Sequence, residues 1–202
     1  MPLSRSFYLR ADVAQIARDL LGKLLVTRMD GVATSGIICE TEAYAGVTDR
    51  ASHAFGGRRT ARTEVMYARG GTAYVYFCYG MHSLFNVVTN QKDIPHAVLV
   101  RGIFPVDGIE TMLLRAGKTK VSGDFGTGPG RVAKILGIHC SHTGLDLVKM
   151  PVNKTVPAIW IEGREVSFGP ADIMAGPRVG IGYAGEDALL PYRFWVRPKS
   201  IG

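Results

Sequence analysis

Acidic and aromatic residues alternate at the end of the apolar run between Ile37 and Tyr44, where the sequence is IICETEAY. The β-branched start is typical of a buried strand. Alternate residues of a strand face the same side, so Glu40, Glu42 and Tyr44 are predicted to share a face. A carboxylate where a core strand emerges is partly desolvated, which suits a general base. The polar loop that follows carries His53, which we expect to fold back beside Glu42.

Taken singly, Glu42 would be interpreted as a solvated acid at a strand end and His53 as a loop histidine. Arg101 favours a different interpretation. It lies within the apolar segment AVLVRGIF, which predicts a strand from His96 to Phe104. An unpaired charge in the interior is strongly destabilising, so Arg101 requires an acidic partner, and Glu42 or Glu40 can supply it. The sequence therefore predicts one pocket that combines the Glu42 carboxylate, the Tyr44 ring, the His53 imidazole and the Arg101 guanidinium.

A second informative stretch, Thr72 to Thr89, has the sequence TAYVYFCYGMHSLFNVVT and predicts a β-hairpin with an aromatic and apolar tip. Tyr74 and Tyr76 would share one face and line a pocket. Tyr79 and Met81 would form the tip, where exposed apolar groups usually mark a contact surface. An apolar wedge next to positive charge is how proteins unstack a base step from the minor groove. The alternative is a tip covered by another segment of the chain.

Positive charge is in excess, with 24 Lys and Arg against 17 Asp and Glu, a net charge of +7 and a pI near 9.5. This balance indicates an anionic partner, nucleic acid before membrane. Arg58 and Arg59 lie among glycines and threonines, and Arg131 follows Gly-Pro-Gly at a predicted helix start. Arginines and free backbone N–H groups in such segments suit contacts with phosphate. A solvated loop is an equally good interpretation for Arg58 and Arg59.

The elements that must position these residues begin with a helix capped by Asp12, whose apolar face runs to Leu21 and which Gly22 ends. A strand from Lys23 to Met29, a tight turn and a returning strand from Val32 to Glu42 then form a hairpin, so a sheet carries Glu42. Further predicted elements are a bulge or close approach at Gly36, helices at Gly108 to Ala116 and Gly128 to Leu136, and a closing strand at Tyr192 to Val196.

The length of 202 residues favours one compact domain spanning the chain. No apolar run approaches the roughly 18 residues of a membrane span, and the first residues lack the apolar core of a signal peptide. Three widely spaced cysteines, Cys39, Cys78 and Cys140, fit reduced thiols in a cytosolic compartment, with the first two as core residues. The segment His139 to His142 lacks a second ligand pair, so zinc is not favoured.

These motifs together are specific enough to identify a resemblance. The sequence is similar to the alkyladenine (3-methyladenine, methylpurine) DNA glycosylases over nearly the whole chain, most closely from 17 to 104 and more loosely from 140 to 175. The resemblance rests on ARDLLGK at 17–23, ETEAY at 40–44 followed by His53, YVYFCYGM at 74–81 followed by Asn86, VLVRG at 98–102, GPGR at 128–131 and RVGIGYAG at 178–185.

The resemblance implies an α+β fold: a single mixed α/β domain, residues 1–202, around a curved antiparallel β-sheet with a protruding hairpin that inserts into DNA. It implies a monofunctional enzyme that flips and hydrolytically removes alkylated or deaminated purines from duplex DNA, of the 3-methyladenine, 7-methylguanine, hypoxanthine or ethenoadenine type. We expect no metal, no other cofactor and no membrane. We expect a monomer, located in the cytoplasm with the nucleoid of a bacterium or in the nucleus of a eukaryote.

The same resemblance assigns roles at the reacting bond. Glu42 would be the general base, holding a water molecule together with His53 and Arg101. Tyr44 and Tyr76, with His53 again, would enclose the extruded base between them.

Two further roles concern the DNA. Tyr79 would fill the gap left in the duplex, with Met81 beside it and with Arg58, Arg59 and Arg131 as candidate DNA contacts. Asn86 would disfavour the amino group of normal guanine by steric conflict.

Two alternatives remain open at this stage. A bifunctional glycosylase and lyase would need an amine nucleophile, which Pro2 could supply if Met1 were removed. A non-catalytic minor-groove DNA-binding protein would use only the Tyr79 wedge and the basic surface, and it would leave Glu42 without a role.

Overall fold

An open antiparallel sheet of eight strands is the centre of the fold in the computed structural model, which describes residues 1–78, 80–163, 166 and 168–196. The strands are β1 Leu24–Met29, β2 Val32–Tyr44, β3 Ala73–Cys78, β4 His82–Thr89, β5 His96–Asp107, β6 Ala158–Glu162, β7 Ile173–Gly176 and β8 Arg193–Val196. Their order is β3-β4-β5-β2-β1-β6, while β8 pairs with both β2 and β7. The mixed α/β fold around an antiparallel sheet is confirmed.

Four α-helices accompany this sheet in the described part of the chain: α1 Arg5–Tyr8, α2 Val13–Asp19, α3 Ile109–Ala116 and α4 Pro129–Leu136. Short 3-10 turns lie at Gly46–Thr48, Phe55–Gly57, Glu64–Tyr67, Cys140–His142 and Gly182–Leu189. None of the helices among the described residues has the length and apolar character to cross a bilayer.

The cap predicted at the start of α2 is confirmed, since the backbone N–H of Gln15 donates to Asp12 at 2.9 Å. The helix ends at Asp19, slightly before the predicted end, and Gly22 then turns the chain at a φ of +82°. Its apolar face is buried in the main core, and the Ala17 carbonyl accepts a hydrogen bond from Thr41 of β2 at 2.8 Å. The helix therefore packs directly behind the strand that carries Glu42.

The turn between β1 and β2 is confirmed at Asp30 and Gly31, which have φ values of 53° and 79°. Positive φ at both central residues is the geometry that matches the twist of a hairpin. Beyond this turn β2 is long enough to take different neighbours along its length. Its first part pairs with β1, and Glu40, Thr41 and Glu42 pair with β8, while β5 lies along the other side.

The register of β2 against β5 shifts next to Gly36 and on both sides of Glu40. The predicted close approach at Gly36 is confirmed, because a Cβ there would lie 2.6 Å from Ile103. Near Glu40 each strand has one residue without a partner, Cys39 in β2 and Arg101 in β5. Such bulges bend a strand and redirect side chains, so the fold itself turns Arg101 towards the acids of β2.

The predicted tyrosine hairpin is formed by β3 and β4, which pair from Ala73↔Val87 to Cys78↔His82. Phe77 is 56% exposed and Met81 is 71% exposed, so the apolar end of the hairpin faces solvent. The prediction for Tyr79 falls outside the described residues. Insertion of the hairpin into DNA stays a prediction.

Candidate active site

A cavity of about 560 Å³ opens where β2, β3, β4 and β5 meet the loop after β7. Six of the residues predicted from the sequence line it together: Glu42, Tyr44, His53, Tyr76, Asn86 and Arg101. Apolar side chains of Met66, Ala97 and Leu99 contribute to its wall, and Arg62, Phe77 and Tyr183 stand among the exposed residues that line it. The sheet therefore brings residues from β2, β3, β4 and β5 to one place, and the loop after β2 adds His53.

Glu42 lies inside this cavity with its side chain fully buried. Tyr44 Oη donates to one carboxylate oxygen at 2.8 Å, and the backbone N–H of Val179 donates to the other at 2.7 Å. Arg101 Nε is 3.4 Å from that second oxygen. Both oxygens are thus held in place, and the acidic partner predicted for Arg101 is confirmed.

Glu40 reaches the same arginine without lining the cavity. Its Oε1 accepts from Arg101 Nε at 3.0 Å and from Arg193 Nε at 2.7 Å. The three side chains are only slightly to partly exposed, so these charge-assisted hydrogen bonds are partly shielded from water. Glu40 therefore fixes Arg101, and Arg101 then faces Glu42.

Tyr44 and Tyr76 present their rings to the cavity. Burial, with Glu42 second, raises the pKa of Tyr44 well above its ordinary value, so its hydroxyl keeps its proton and remains a donor to the carboxylate. Burial likewise raises the pKa of Tyr76. Protonated, uncharged rings are suited to stack against a flat base.

His53 lines the cavity as predicted, and its nearest ring neighbours are tyrosines of β3. Its Nδ1 is 2.8 Å from Tyr74 Oη, and its ring packs edge-on against Tyr76 with centroids 4.7 Å apart. Burial, with Arg62 and Arg58 second, lowers the pKa of His53 to about 4. The imidazole is therefore neutral near pH 7.

Asn86 is buried and lines the cavity next to these rings. Its Nδ2 donates to the carbonyl oxygens of Tyr74 at 3.2 Å and Leu84 at 3.3 Å. These two bonds hold the side-chain amide against the hairpin. Its predicted role against guanine stays a prediction.

Known proteins are similar to this sequence over almost its entire length. The profile of the methylpurine-DNA glycosylase family matches residues 6–200. The chain belongs to this family. A relative from Chlamydia abortus, named "Putative 3-methyladenine DNA glycosylase", is 45% identical over 98% of this chain and 100% of its own length. A relative of the same name from Bacillus cereus is 43% identical over 94% of this chain and 93% of its own length.

Several residues of this methylpurine-DNA glycosylase family member were missed by the sequence analysis. The N–H of Val179 that reaches Glu42 belongs to the motif RVGIGYAG, in which no role was assigned. Next to it, Arg178 forms a buried ion pair with Asp49. Arg62 belongs to the same basic loop as Arg58 and Arg59, and its contact was not predicted: it lies over the Tyr76 ring at 5.2 Å from its centroid. Backbone donors and long-range pairs leave no pattern in a sequence, so only the motif could have indicated the first two.

The arginines predicted to contact DNA differ in their surroundings. Arg59 is paired with Glu64 at 2.7 Å and with Asp93 at 2.8 Å. Arg131 is paired with Asp124 at 2.6 Å, and it lies two residues after Pro129, which lines the cavity. Arg58 is exposed, and no carboxylate of the described residues lies within ion-pair distance of it. Arg58 therefore offers the least compensated charge among the three.

The cysteines are free thiols in two kinds of surroundings. Cys39 packs against the main core as predicted, and burial raises its pKa to about 12. Cys78 was expected in the core as well, but it is half-buried and lines the cavity because it lies at the end of β3.

His142 Nδ1 accepts a hydrogen bond from the His139 backbone at 3.0 Å. Within the described ranges, no group of three His, Cys, Asp or Glu residues could hold a metal ion.

Proposed function

We propose that this family member removes alkylated or deaminated purines from duplex DNA by hydrolysis, with water activated by Glu42. The observation that carries the proposal is the fully buried Glu42 carboxylate inside an aromatic-lined cavity, held by Tyr44, Val179 and Arg101. A buried acid with fixed oxygens in a ligand-sized cavity indicates a reacting group.

The reaction requires that the nucleotide leave the duplex first, because its glycosidic bond is unreachable in the stack. Flipping costs a few kcal/mol, about 2 to 4, and least for damaged or mismatched pairs. Stacking on an aromatic face returns about 1–3 kcal/mol for each face. Among the rings that line the cavity, we assign the stacking to Tyr44 and Tyr76, and His53 lies beside Tyr76.

The N-glycosidic bond breaks with positive charge developing on the sugar. A nearby carboxylate stabilises that charge and takes a proton from the attacking water, whose oxygen bonds to the anomeric carbon as the purine departs with the bonding electrons. Glu42 suits both tasks. In the proposal, Arg101 and neutral His53 help to orient the water, and Asn86 disfavours guanine.

Lesion choice would follow from the pocket and not from base sequence. An electron-poor alkylated purine stacks better on a tyrosine ring than a normal purine does, which gives selectivity without reading neighbouring bases. Affinity would come from phosphate contacts and fall steeply with salt. In this proposal Met81, and Tyr79 as the resemblance implies, occupy the space in the duplex where the base was.

The test is single-turnover base release from duplexes that contain hypoxanthine, 3-methyladenine, 7-methylguanine or ethenoadenine. Glu42→Gln should retain the fold and lose at least about 100-fold in rate, because it cannot accept the proton. Glu162→Gln is the matched control, since Glu162 lies on β6 at the far edge of the sheet. A Glu42→Gln variant that excised as fast as the control would refute the assignment.

The lyase alternative predicts a different product. Pro2 forms a bridge with Glu162 beside β6, whereas the cavity is built from β2 to β5. That separation favours water as the nucleophile. Borohydride trapping on abasic or lesion-containing DNA decides: a covalent adduct that disappears in Pro2→Ala would overturn hydrolysis. If damaged DNA were bound with no release of any base, the non-catalytic alternative would hold.

A further inference from the structure

Arg178 and Asp49 form a buried bidentate ion pair behind the cavity. Nη1 of the arginine donates to Asp49 Oδ2 at 2.5 Å, and Nη2 donates to Oδ1 at 2.9 Å. The two side chains are 0% and 1% exposed. Neither residue lines the cavity, so neither can touch the bound base or the reacting atoms.

The pair holds both chain neighbours of Tyr44. Arg178 Nη1 donates to the Ala43 carbonyl at 2.8 Å, and the Ala45 N–H donates to Asp49 Oδ2 at 3.0 Å. The guanidinium carbon also lies 4.8 Å from the centroid of the Tyr44 ring. Backbone and ring of Tyr44 are therefore fixed from the side away from the cavity.

The same pair fixes the loop that supplies a donor to Glu42. Val179 follows Arg178 directly, and its N–H reaches Glu42 at 2.7 Å. Arg178 Nη2 also donates to the Asp187 carbonyl at 3.2 Å, which ties the far end of this loop to the same group. The Arg178 guanidinium thus connects Glu42, the general base of the proposed reaction, with Tyr44, the ring proposed to stack on the extruded purine.

Stability alone does not account for this arrangement. A buried ion pair often contributes no more than well-packed apolar residues would, because both charges lose their hydration. Arg178 Nε is buried without a hydrogen-bond partner among the described residues, which adds a further cost. Costly buried polar groups are retained where geometry matters.

We propose that Arg178 and Asp49 act as a positioning clamp that sets Tyr44 and the Val179 N–H against Glu42, an inference that rests on the proposed function. When the clamp is loosened, Glu42 remains in the cavity but loses its alignment with the sugar. A displacement of about 1 Å at a reacting group can cost 100-fold in rate.

The experiment compares Arg178→Lys and Asp49→Asn with Arg5→Lys and Asp146→Asn. Arg5 and Asp146 form the control pair: Arg5 Nη2 donates to the two carboxylate oxygens of Asp146 at 2.7 and 2.6 Å, and neither residue lines the cavity. The folded fraction of each variant is measured by urea denaturation, and excision rates are compared under conditions where every variant is folded. We expect the clamp variants to lose about 10- to 100-fold in single-turnover rate, with affinity for undamaged DNA within about twofold.

Two further readouts separate positioning from a general loss of structure. The Val179 amide signal should shift and exchange faster in Arg178→Lys, and not in Arg5→Lys. Combining Arg178→Lys with Asp49→Glu restores the reach of the pair, so part of the rate should return. Rates within twofold of wild type in a folded Arg178→Lys, or an unchanged Val179 amide, would overturn the clamp. If the wild-type protein released no base, the proposed function would fail while the amide still reported on the clamp.

Discussion

Arg101 makes its shorter contact with Glu40, at 3.0 Å, although it is Glu42 that shares the cavity with it. The bulge at Arg101 allows this, because the residue has no partner across the strand and its side chain turns towards both acids. Glu40 also holds Arg193 at 2.7 Å. Glu40 therefore holds the guanidinium of Arg101, which faces Glu42. Removal of the Glu40 carboxylate should disturb the cavity.

Glu40→Gln should destabilise the protein and disturb Arg101. The amide cannot compensate two guanidinium groups, so we expect a loss of about 1–3 kcal/mol in the free energy of unfolding, measured by urea denaturation. Asp124→Asn is the control, because its pair with Arg131 is 59% and 39% exposed and should contribute little to stability. Equal losses in the two variants would contradict the role given to Glu40.

Tyr44→Phe separates two tasks of one residue. The ring that is proposed to stack is kept, while the 2.8 Å hydrogen bond to Glu42 is lost. A hydrogen bond to a charged group is worth about 1.5–3 kcal/mol, so single-turnover excision should fall by roughly 10- to 100-fold. Flipping, followed by the fluorescence of an etheno-base, should stay near the wild-type level. Tyr44→Ala should impair both excision and flipping. A Tyr44→Phe excision rate equal to wild type would show that the hydrogen bond to Glu42 does not contribute to the reaction.

Much of the cavity could be predicted from the sequence because its signals are local. Alternation along β2 placed Glu42 and Tyr44 on one face, and the charge within β5 required an acidic partner for Arg101. Both effects act over a few residues or follow from the cost of an unpaired charge. The hairpin of β3 and β4 was predictable for the same reason.

The supporting contacts could not be predicted, since they join segments distant in the chain. Val179 is 137 residues from Glu42 and acts through a backbone N–H, which every residue but proline carries. The pair of Arg178 with Asp49 spans 129 residues. The ion pairs that occupy Arg59 and Arg131 were equally invisible, because composition shows a basic loop and not the carboxylates around it.

His53 should titrate far below an ordinary histidine. Its pKa is about 4, chiefly because burial disfavours the charged ring, with Arg62 and Arg58 adding to the effect. NMR of the imidazole should show a midpoint near 4, and Arg62→Ala should move it upwards. We expect Tyr74 to donate to Nδ1, which lies 2.8 Å from its hydroxyl oxygen, so that the ring carries its proton on Nε2. A midpoint near 6.5 in the wild type would contradict the buried, neutral ring.

The lowered pKa of His53 determines how the free energy of unfolding changes with pH. The unfolded chain takes up a proton on His53 as the pH falls below about 6.5, while the folded protein does so only near 4. Folding should therefore lose stability from His53 as the pH falls through this window, and the loss should be complete below about 4. His53→Gln should flatten this part of the curve of unfolding free energy against pH, compared with wild type.

The salt dependence of DNA binding should distinguish the three candidate arginines. Each phosphate contact that is lost lowers the slope of log K against log salt by about 0.9. Arg58→Ala should show this full change, because its charge has no carboxylate partner within ion-pair distance in the part of the chain described. Arg59→Ala and Arg131→Ala should change the slope less, since Glu64, Asp93 and Asp124 already offset their charges.

The measurement is a titration of an undamaged duplex at several salt concentrations, which excludes any effect of base excision. Asp124→Asn supplies the counterpart, because freeing Arg131 from its 2.6 Å partner should steepen the slope. If the Arg59 and Arg58 variants lowered the slope equally, the ion pairs at Arg59 would have to open on binding. DNA phosphates would then compete successfully with two carboxylates for one guanidinium.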